Sequence, residues 1–287
     1  MYGIDCATRL TAANVQALKS AGVKAVGRYL GGNYGLTAAE VKSILDAGLA
    51  LWLILELDPT KASYFNYLRG VSDAQYALAQ AQALGVLKGV CIYFAVDFEA
   101  QPGDMSTIKE YFRGVHMVLT GKYQVGVYGS FAVLKAMKGA DYPPDKFFQT
   151  YAWSYGDKAP NHIYQYSNNV LVAGFKVDQD YVNEDAGLWT AEATANTTEE
   201  KGSEEVLDVA VLMDTEEDFW SAIDVSRRNG NCALFVRVSH NATPPADAMK
   251  AVHLIVVGGA TTGHPNETLL SGDDKFGTAA AVKKYLG

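Results

Sequence analysis

A chain of 287 residues with 49% hydrophobic and 20% charged side chains and a mean hydropathy of −0.02 has ordinary globular composition, which excludes a wholly disordered, collagenous or coiled-coil protein. A net charge of −8 opposes general affinity for nucleic acid, which needs clustered Lys and Arg to displace counterions. The longest apolar run, Ala47–Leu55, stops at Glu56, well short of the roughly 18 residues of a membrane span, so membrane insertion is not expected. The segment from Met1 already reads as a strand rather than a basic and then apolar leader, so no cleaved export signal is expected in this chain. Cys6, Cys91 and Cys232 are odd in number and far apart, and read as buried free thiols.

Short apolar runs recur at Tyr2–Asp5, Lys24–Leu30, Leu49–Leu57, Val90–Glu99, Gln124–Gly129, Phe147–Trp153, His162–Ser167 and Phe175–Asp178. Amphipathic segments separate the early ones, at Thr11–Ala21, Thr37–Ala47 and Asp73–Leu84, with apolar positions three and four apart. Eight strands alternating with helices predict an α/β fold, a parallel (β/α)8 TIM-like barrel over residues 1–190, irregular because the later connections are too short for full helices. Residues 191–205 hold no large apolar side chain until Val206 and read as a linker. Charge divides there too, −1 before and −7 after.

The run Cys91–Glu99 carries the sharpest chemical signal. Side chains alternate across a strand, so Ile92, Phe94, Val96 and Phe98 share one face and Tyr93, Ala95, Asp97 and Glu99 the other. The apolar set faces helices, which directs Asp97 and Glu99 into the barrel at its C-terminal end, where such barrels place their active sites. Two neighbouring carboxylates repel, so one holds its proton while the other ionises. Glycoside hydrolysis needs that division, with one acid for the leaving oxygen and one anion for the developing positive charge. A solvated strand end with capping carboxylates is the plain alternative.

Other strand ends add to the set. Asp5 closes the first strand and Asp178 the eighth, its neighbour in a closed barrel. Tyr128, Tyr151, Trp153, Gln165 and Tyr166 stand at the same rim, and flat aromatic faces with polar edges suit a sugar ring. Arg28 either meets a carboxylate, in the barrel mouth or on a substrate, or forms a structural ion pair. Glu56 ranks below these acids because Asp58-Pro59 after it reads as an ordinary turn. The five histidines show no metal-ligand spacing, so neither metal nor other cofactor is expected.

The motifs GID at Gly3–Asp5, VDFE at Val96–Glu99, VGVYGS at Val125–Ser130, YQYS at Tyr164–Ser167 and VDQD at Val177–Asp180 resemble the strand-end motifs of glycoside hydrolase family 25, the Chalaropsis-type muramidases. A neighbouring glycoside-hydrolase-like family of unknown function is more similar still, through RYL at Arg28–Leu30, AGL at Ala47–Leu49, IYFAVD at Ile92–Asp97 and TYAWS at Thr150–Ser154. The muramidase resemblance implies cleavage of the β-1,4 bond after N-acetylmuramic acid. It also implies Glu99 as general acid, Asp97 as its orienting or stabilising partner, and Asp5 and Asp178 as the electrostatic frame.

Residues 206–287 read as a small parallel α/β domain. Its strands are expected at Val206–Met213, Cys232–Val238 and Ala251–Val257, and its helices at Glu216–Asn229, Pro245–Lys250 and Thr278–Leu286. Gly258-Gly259 reads as a tight turn rather than a phosphate cradle, because no Walker or dinucleotide pattern follows. Val256–Gly259 with Leu270–Leu286 resembles one clostridial-type cell-wall-binding repeat, which implies an anionic wall polymer as partner. Exposed sheet edges also predict packing on the barrel or a homo-oligomer.

Three functions follow. The first is a peptidoglycan hydrolase of endolysin type, lysing walls without a leader of its own. The others are a non-catalytic glycan-binding barrel and an assembly module.

Overall fold

The computed structural model describes residues 1–191, 207–230, 232–237 and 239–287; all but the first residue of the expected linker 191–205 lies outside them. Two compact units form, Met1–Lys201 and Gly202–Gly287.

In the first unit eight strands close a barrel in sequence order. They are β1 (Tyr2–Asp5), β2 (Ala25–Tyr29), β3 (Ala50–Leu55), β4 (Cys91–Ala95), β5 (Gln124–Gly129), β6 (Lys146–Thr150), β7 (Ile163–Val172) and β8 (Phe175–Val182). Crossover helices α1 (Ala12–Ser20), α2 (Ala38–Asp46), α3 (Tyr67–Leu84), α4 (Met105–Leu119) and α5 (Phe131–Lys138) link the first six strands. Thr11, Thr37 and Ser130 cap α1, α2 and α5 by accepting from backbone N–H groups of the first turn.

The expected all-parallel barrel needs one correction. Strands β1 to β7 run parallel, but β8 is antiparallel to both β7 and β1. The reason is local: Ala173 and Gly174 both take positive φ, 50° and 92°, giving a two-residue turn that folds β8 straight back on β7. No crossover is then possible, and the first residues of β8, not its last, lie at the rim.

The barrel interior is filled mainly by Trp52, Tyr93, Phe148, Ile163 and Val182, with Ala25 and Ala50 beneath. Trp52 and Phe148 meet edge to face with centroids 6.2 Å apart. Gly27 makes this possible, since a Cβ there would stand 2.4 Å from the Trp52 indole.

The second unit holds a four-stranded parallel sheet in the order β10-β9-β11-β12. Its strands are β9 (Val209–Met213), β10 (Ala233–Val236), β11 (His253–Val257) and β12 (Glu267–Leu270), with helices α6 (Phe219–Arg228) and α7 (Lys275–Leu286). Strand β12 is an addition to the sequence reading. Its four residues include Glu267 and Thr268, too short and polar a run to stand out. At Gly258 and Gly259 φ is 79° and 64°, and added Cβ atoms would meet the carboxylates of Asp218 and Asp214 within 2.4 Å. Acids packed against that turn leave no cradle for phosphate.

Candidate active site

Strand alternation brings acids to one end of the barrel. On β3, Trp52 and Ile54 point inward, and Glu56 follows two residues later on the same face. On β4, Cys91 and Tyr93 point inward, and Asp97 continues that face just beyond the strand. Asp5 ends β1 directly opposite Asp178, and Asp180 lies one inward position deeper, opposite Gly3. A cavity of about 320 Å³ opens among Asp5, Glu56, Asp97 and Asp178. Its aromatic wall is Tyr29, Tyr128, Phe148 and Trp153, and its polar wall Thr150, Gln165 and Asn168.

Gln165 organises the floor. Its Nε2 donates to Asp5 at 3.0 Å and to Asp178 at 3.3 Å, while its Oε1 accepts from Thr150 Oγ1 at 2.8 Å and Tyr128 Oη at 3.1 Å. Irregular pairing of β7 with β8 between Gln165 and Val170 turns the Asn169 N–H onto Asp178 at 2.8 Å.

Among the described residues no Lys, Arg or His lines this cavity, so its acids meet burial and each other, with the nearby Arg28 compensating in part at Asp5. Burial, reinforced by Asp178, pushes Asp5 up to about 7. Burial, reinforced by Asp97, Asp5 and Asp178, pushes Glu56 up to about 8. Burial also raises Asp97, next to Asp178, and Asp178 itself, which the Asn169 N–H partly offsets. Asp180 is fully buried with both carboxyl oxygens lacking a donor. Burial and the nearby Asp5 and Asp178 raise it well above the usual range.

Of the residues singled out in the sequence, Asp5, Asp97, Asp178, Tyr128, Trp153 and Gln165 line the cavity. Four do not. Glu99 is exposed, and its carboxylate accepts from the hydroxyl of Tyr155. The inward alternation persists past the end of β4 as far as Asp97, whose N–H donates to the Pro59 carbonyl at 3.0 Å, and a tight turn from Phe98 to Ala100 then swings Glu99 outward. Arg28 alternates with the inward Gly27 and Tyr29, so it points to the helices. There it is fully buried, 2.7 Å from Glu40 of α2, and donates to the carbonyls of Cys6 and Tyr34. The structure places Arg28 in a buried ion pair rather than in the barrel mouth. Tyr166 faces outward on β7 and stacks on Tyr181 at 4.5 Å. Tyr151 stays at the rim without lining the cavity, donating to Asn168 at 2.8 Å.

Glu56, ranked below the other acids in the sequence, also lines the cavity. The signal was there: Trp52, Ile54 and Glu56 keep the parity that placed Asp97, and the following turn does not alter it. Asp180 was equally legible as the second inward acid of β8. Among the described residues no group of three or more His, Cys, Asp or Glu is arranged to hold a metal.

A closed barrel with an acid-lined, aromatic-walled cavity at its strand ends is a glycoside hydrolase-like domain. The chain belongs to the Rv2525c-like, glycoside hydrolase-like domain family, whose model matches residues 16–182. Two Bacillus subtilis (strain 168) proteins are similar: YbfG, 38% identical over 143 residues (44% of this chain, 20% of YbfG), and FadG, 33% over 135 (43% of this chain, 23% of FadG). The chain thus spans less than a quarter of either relative. The crystal structure of the Tat-secreted protein Rv2525c of Mycobacterium tuberculosis in complex with L-tartrate superposes with a TM-score of 0.58 at 21% identity, covering 66% of this chain and 98% of that one. At that identity the likeness is one of fold. No helix among the described residues is long and apolar enough to cross a membrane.

Proposed function

We propose that the barrel hydrolyses glycosidic bonds in bacterial peptidoglycan or a related wall glycan. One observation carries this reading: a single cavity holds carboxyl groups under unequal electrostatic conditions beside Tyr29, Tyr128 and Trp153. Burial, reinforced by Asp97, Asp5 and Asp178, pushes Glu56 up to about 8 and favours its protonated form near neutral pH, while Asp97, raised by burial and Asp178, stands beside it as the partner carboxyl. That supplies both an acid and an anion, and the aromatic wall offers stacking surface for sugar rings. The muramidase-like order of strand-end motifs supports a wall glycan as substrate, and the resemblance of the second unit to a wall-binding repeat supports wall association.

A second reading has its own support. Glu99, which the muramidase resemblance implies as general acid, sits outside the cavity on Tyr155, as it would in a barrel that binds glycan without cleaving it. Mass spectrometry of material released from purified bacterial walls decides between them. New reducing ends on glucosamine or muramic acid support hydrolysis and identify the bond; wall binding without release supports the binding module.

A further inference from the structure

We infer that Glu56, at the end of β3, is the proton donor of the barrel, in the place that the strand-four Glu99 holds in the muramidase pattern. This deepens the proposed hydrolysis and rests on it. Geometry separates the two glutamates. Glu56 forms part of the cavity wall with Asp97, Tyr29 and Tyr128, whereas Glu99 is exposed and engaged by Tyr155. A general acid must reach the glycosidic oxygen within hydrogen-bond distance, so cavity position comes before any other criterion.

The surroundings of Glu56 suit the role. The acids that face it are Asp97 beyond β4, Asp5 of β1 and Asp178 of β8, and each favours its protonated form. The hydroxyls of Tyr29 on β2 and Tyr128 on β5 share the same field and stay protonated. Among the described residues no cation lines the cavity to reverse this. Among the described residues no side chain or backbone N–H donates to the Glu56 carboxyl, which leaves its proton for a bound ligand.

The step balances without any added reagent. The Glu56 proton passes to the glycosidic oxygen as the C1–O bond breaks, with the bonding pair remaining on that oxygen. The Asp97 carboxylate stabilises the positive charge on the sugar, water adds to C1, and the proton released by that water restores the Glu56 carboxyl through solvent. Above the pH at which Glu56 ionises the donor is lost, so turnover falls on the basic side.

The test compares wild type, Glu56→Gln and Glu99→Gln on purified wall and on a dinitrophenyl β-glycoside of chitobiose, whose leaving group needs no proton. Glu56→Gln is expected to slow wall hydrolysis by about 10² to 10⁴ while staying within about tenfold of wild type on the dinitrophenyl glycoside, with its basic limb gone. Glu99→Gln is expected to match wild type on both. If wild type is active and Glu56→Gln equals it on wall, or if the slow-but-rescued pattern belongs to Glu99→Gln, the assignment is overturned while hydrolysis stands. If Glu56→Gln is slow on both substrates, Glu56 is structural and the assignment also falls. Wild type that cleaves neither substrate overturns the hydrolase reading and the assignment together. Should Glu56→Gln not fold, ¹³C NMR of glutamate carboxyls in wild type decides: titration of Glu56 together with the basic limb supports the role, and titration in the ordinary carboxylate range overturns it.

Discussion

Asp5 on β1 and Gln165 on β7 are two strands apart, yet the Gln165 amide nitrogen reaches the Asp5 carboxylate at 3.0 Å across β8. The same amide donates to Asp178 and, through its oxygen, accepts from Tyr128 and Thr150. One neutral side chain therefore holds the floor of an acid-rich cavity whose lining, among the described residues, includes no cation.

Replacing Gln165 with Leu removes the donors to two carboxyls and the acceptor for two hydroxyls. Groups left buried and unsatisfied cost about 1 to 3 kcal/mol, so chemical denaturation should show a loss of that order. Glu at this position adds a further negative charge, and the loss should be larger at pH 8 than at pH 5. Equal stability of wild type and the Leu variant would contradict the bridging role.

Stability should depend on pH through the Asp5–Asp180 pair. Both groups have folded-state pKa values raised above the unfolded ones, Asp5 to about 7 from 3.8. Well below pH 3.8 both states are protonated and no penalty exists. As pH rises towards 7 the unfolded chain ionises while the folded one resists, so this contribution to stability is lost progressively over that window. Asp180→Asn supplies Asp5 with a donor in place of a competing acid. The variant should therefore be more stable than wild type at pH 8 and lose most of that advantage by pH 4, as followed by melting temperature across a pH series.

Arg28 and Glu40 are fully buried and joined at 2.7 Å, with the Leu10 N–H also on Glu40 at 2.9 Å. Arg28→Met strands the Glu40 carboxylate in the interior, which typically costs about 3 to 5 kcal/mol. Arg28 does not line the cavity, although its charge reaches Asp5, so any folded Arg28→Met protein should keep the glycan affinity of wild type at a pH where Asp5 holds its proton. A selective loss of affinity for carboxylate-bearing glycan, at unchanged stability, would restore the substrate-contact alternative.

Trp153 lines the cavity with φ of 52°, while Tyr166 stacks on Tyr181 on the outer wall. Trp153→Ala should weaken binding of chitooligosaccharide several-fold to about tenfold, as expected for losing an aromatic contact of about 0.5 to 1.5 kcal/mol. Tyr166→Ala should leave it unchanged. Calorimetric titration of both variants checks the pair, and the reverse pattern would move the glycan to the outer face.

What the sequence determined by itself was whatever depends on period. Strands are short runs whose side chains alternate, so parity directed Asp97 into a barrel while strand-end position brought Asp5 and Asp178 to the same rim, and parity applied evenly also places Glu56 and Asp180 inside. Thr11 and Thr37 open their helices by capping chemistry that acts within one turn. Tertiary structure decided what lies beyond the last paired residue. Glu99 lost its parity because a tight turn from Phe98 to Ala100 follows Asp97, and contacts beyond the end of β4 come from Pro59 and Tyr155, residues distant in sequence. Tyr166 and Arg28 each occupy the outer face of a strand, and a rim position inferred from motif order carries no information about which face a side chain takes. The reversal of β8 came from two residues in left-handed conformation, a conformation that Gly174 takes freely but that Ala173 adopts only because the closing hairpin holds it there. Charge state was the most collective property of all. No isolated Asp or Glu differs from another, and only the convergence of five acids around one poorly compensated cavity gives them unequal affinities for a proton.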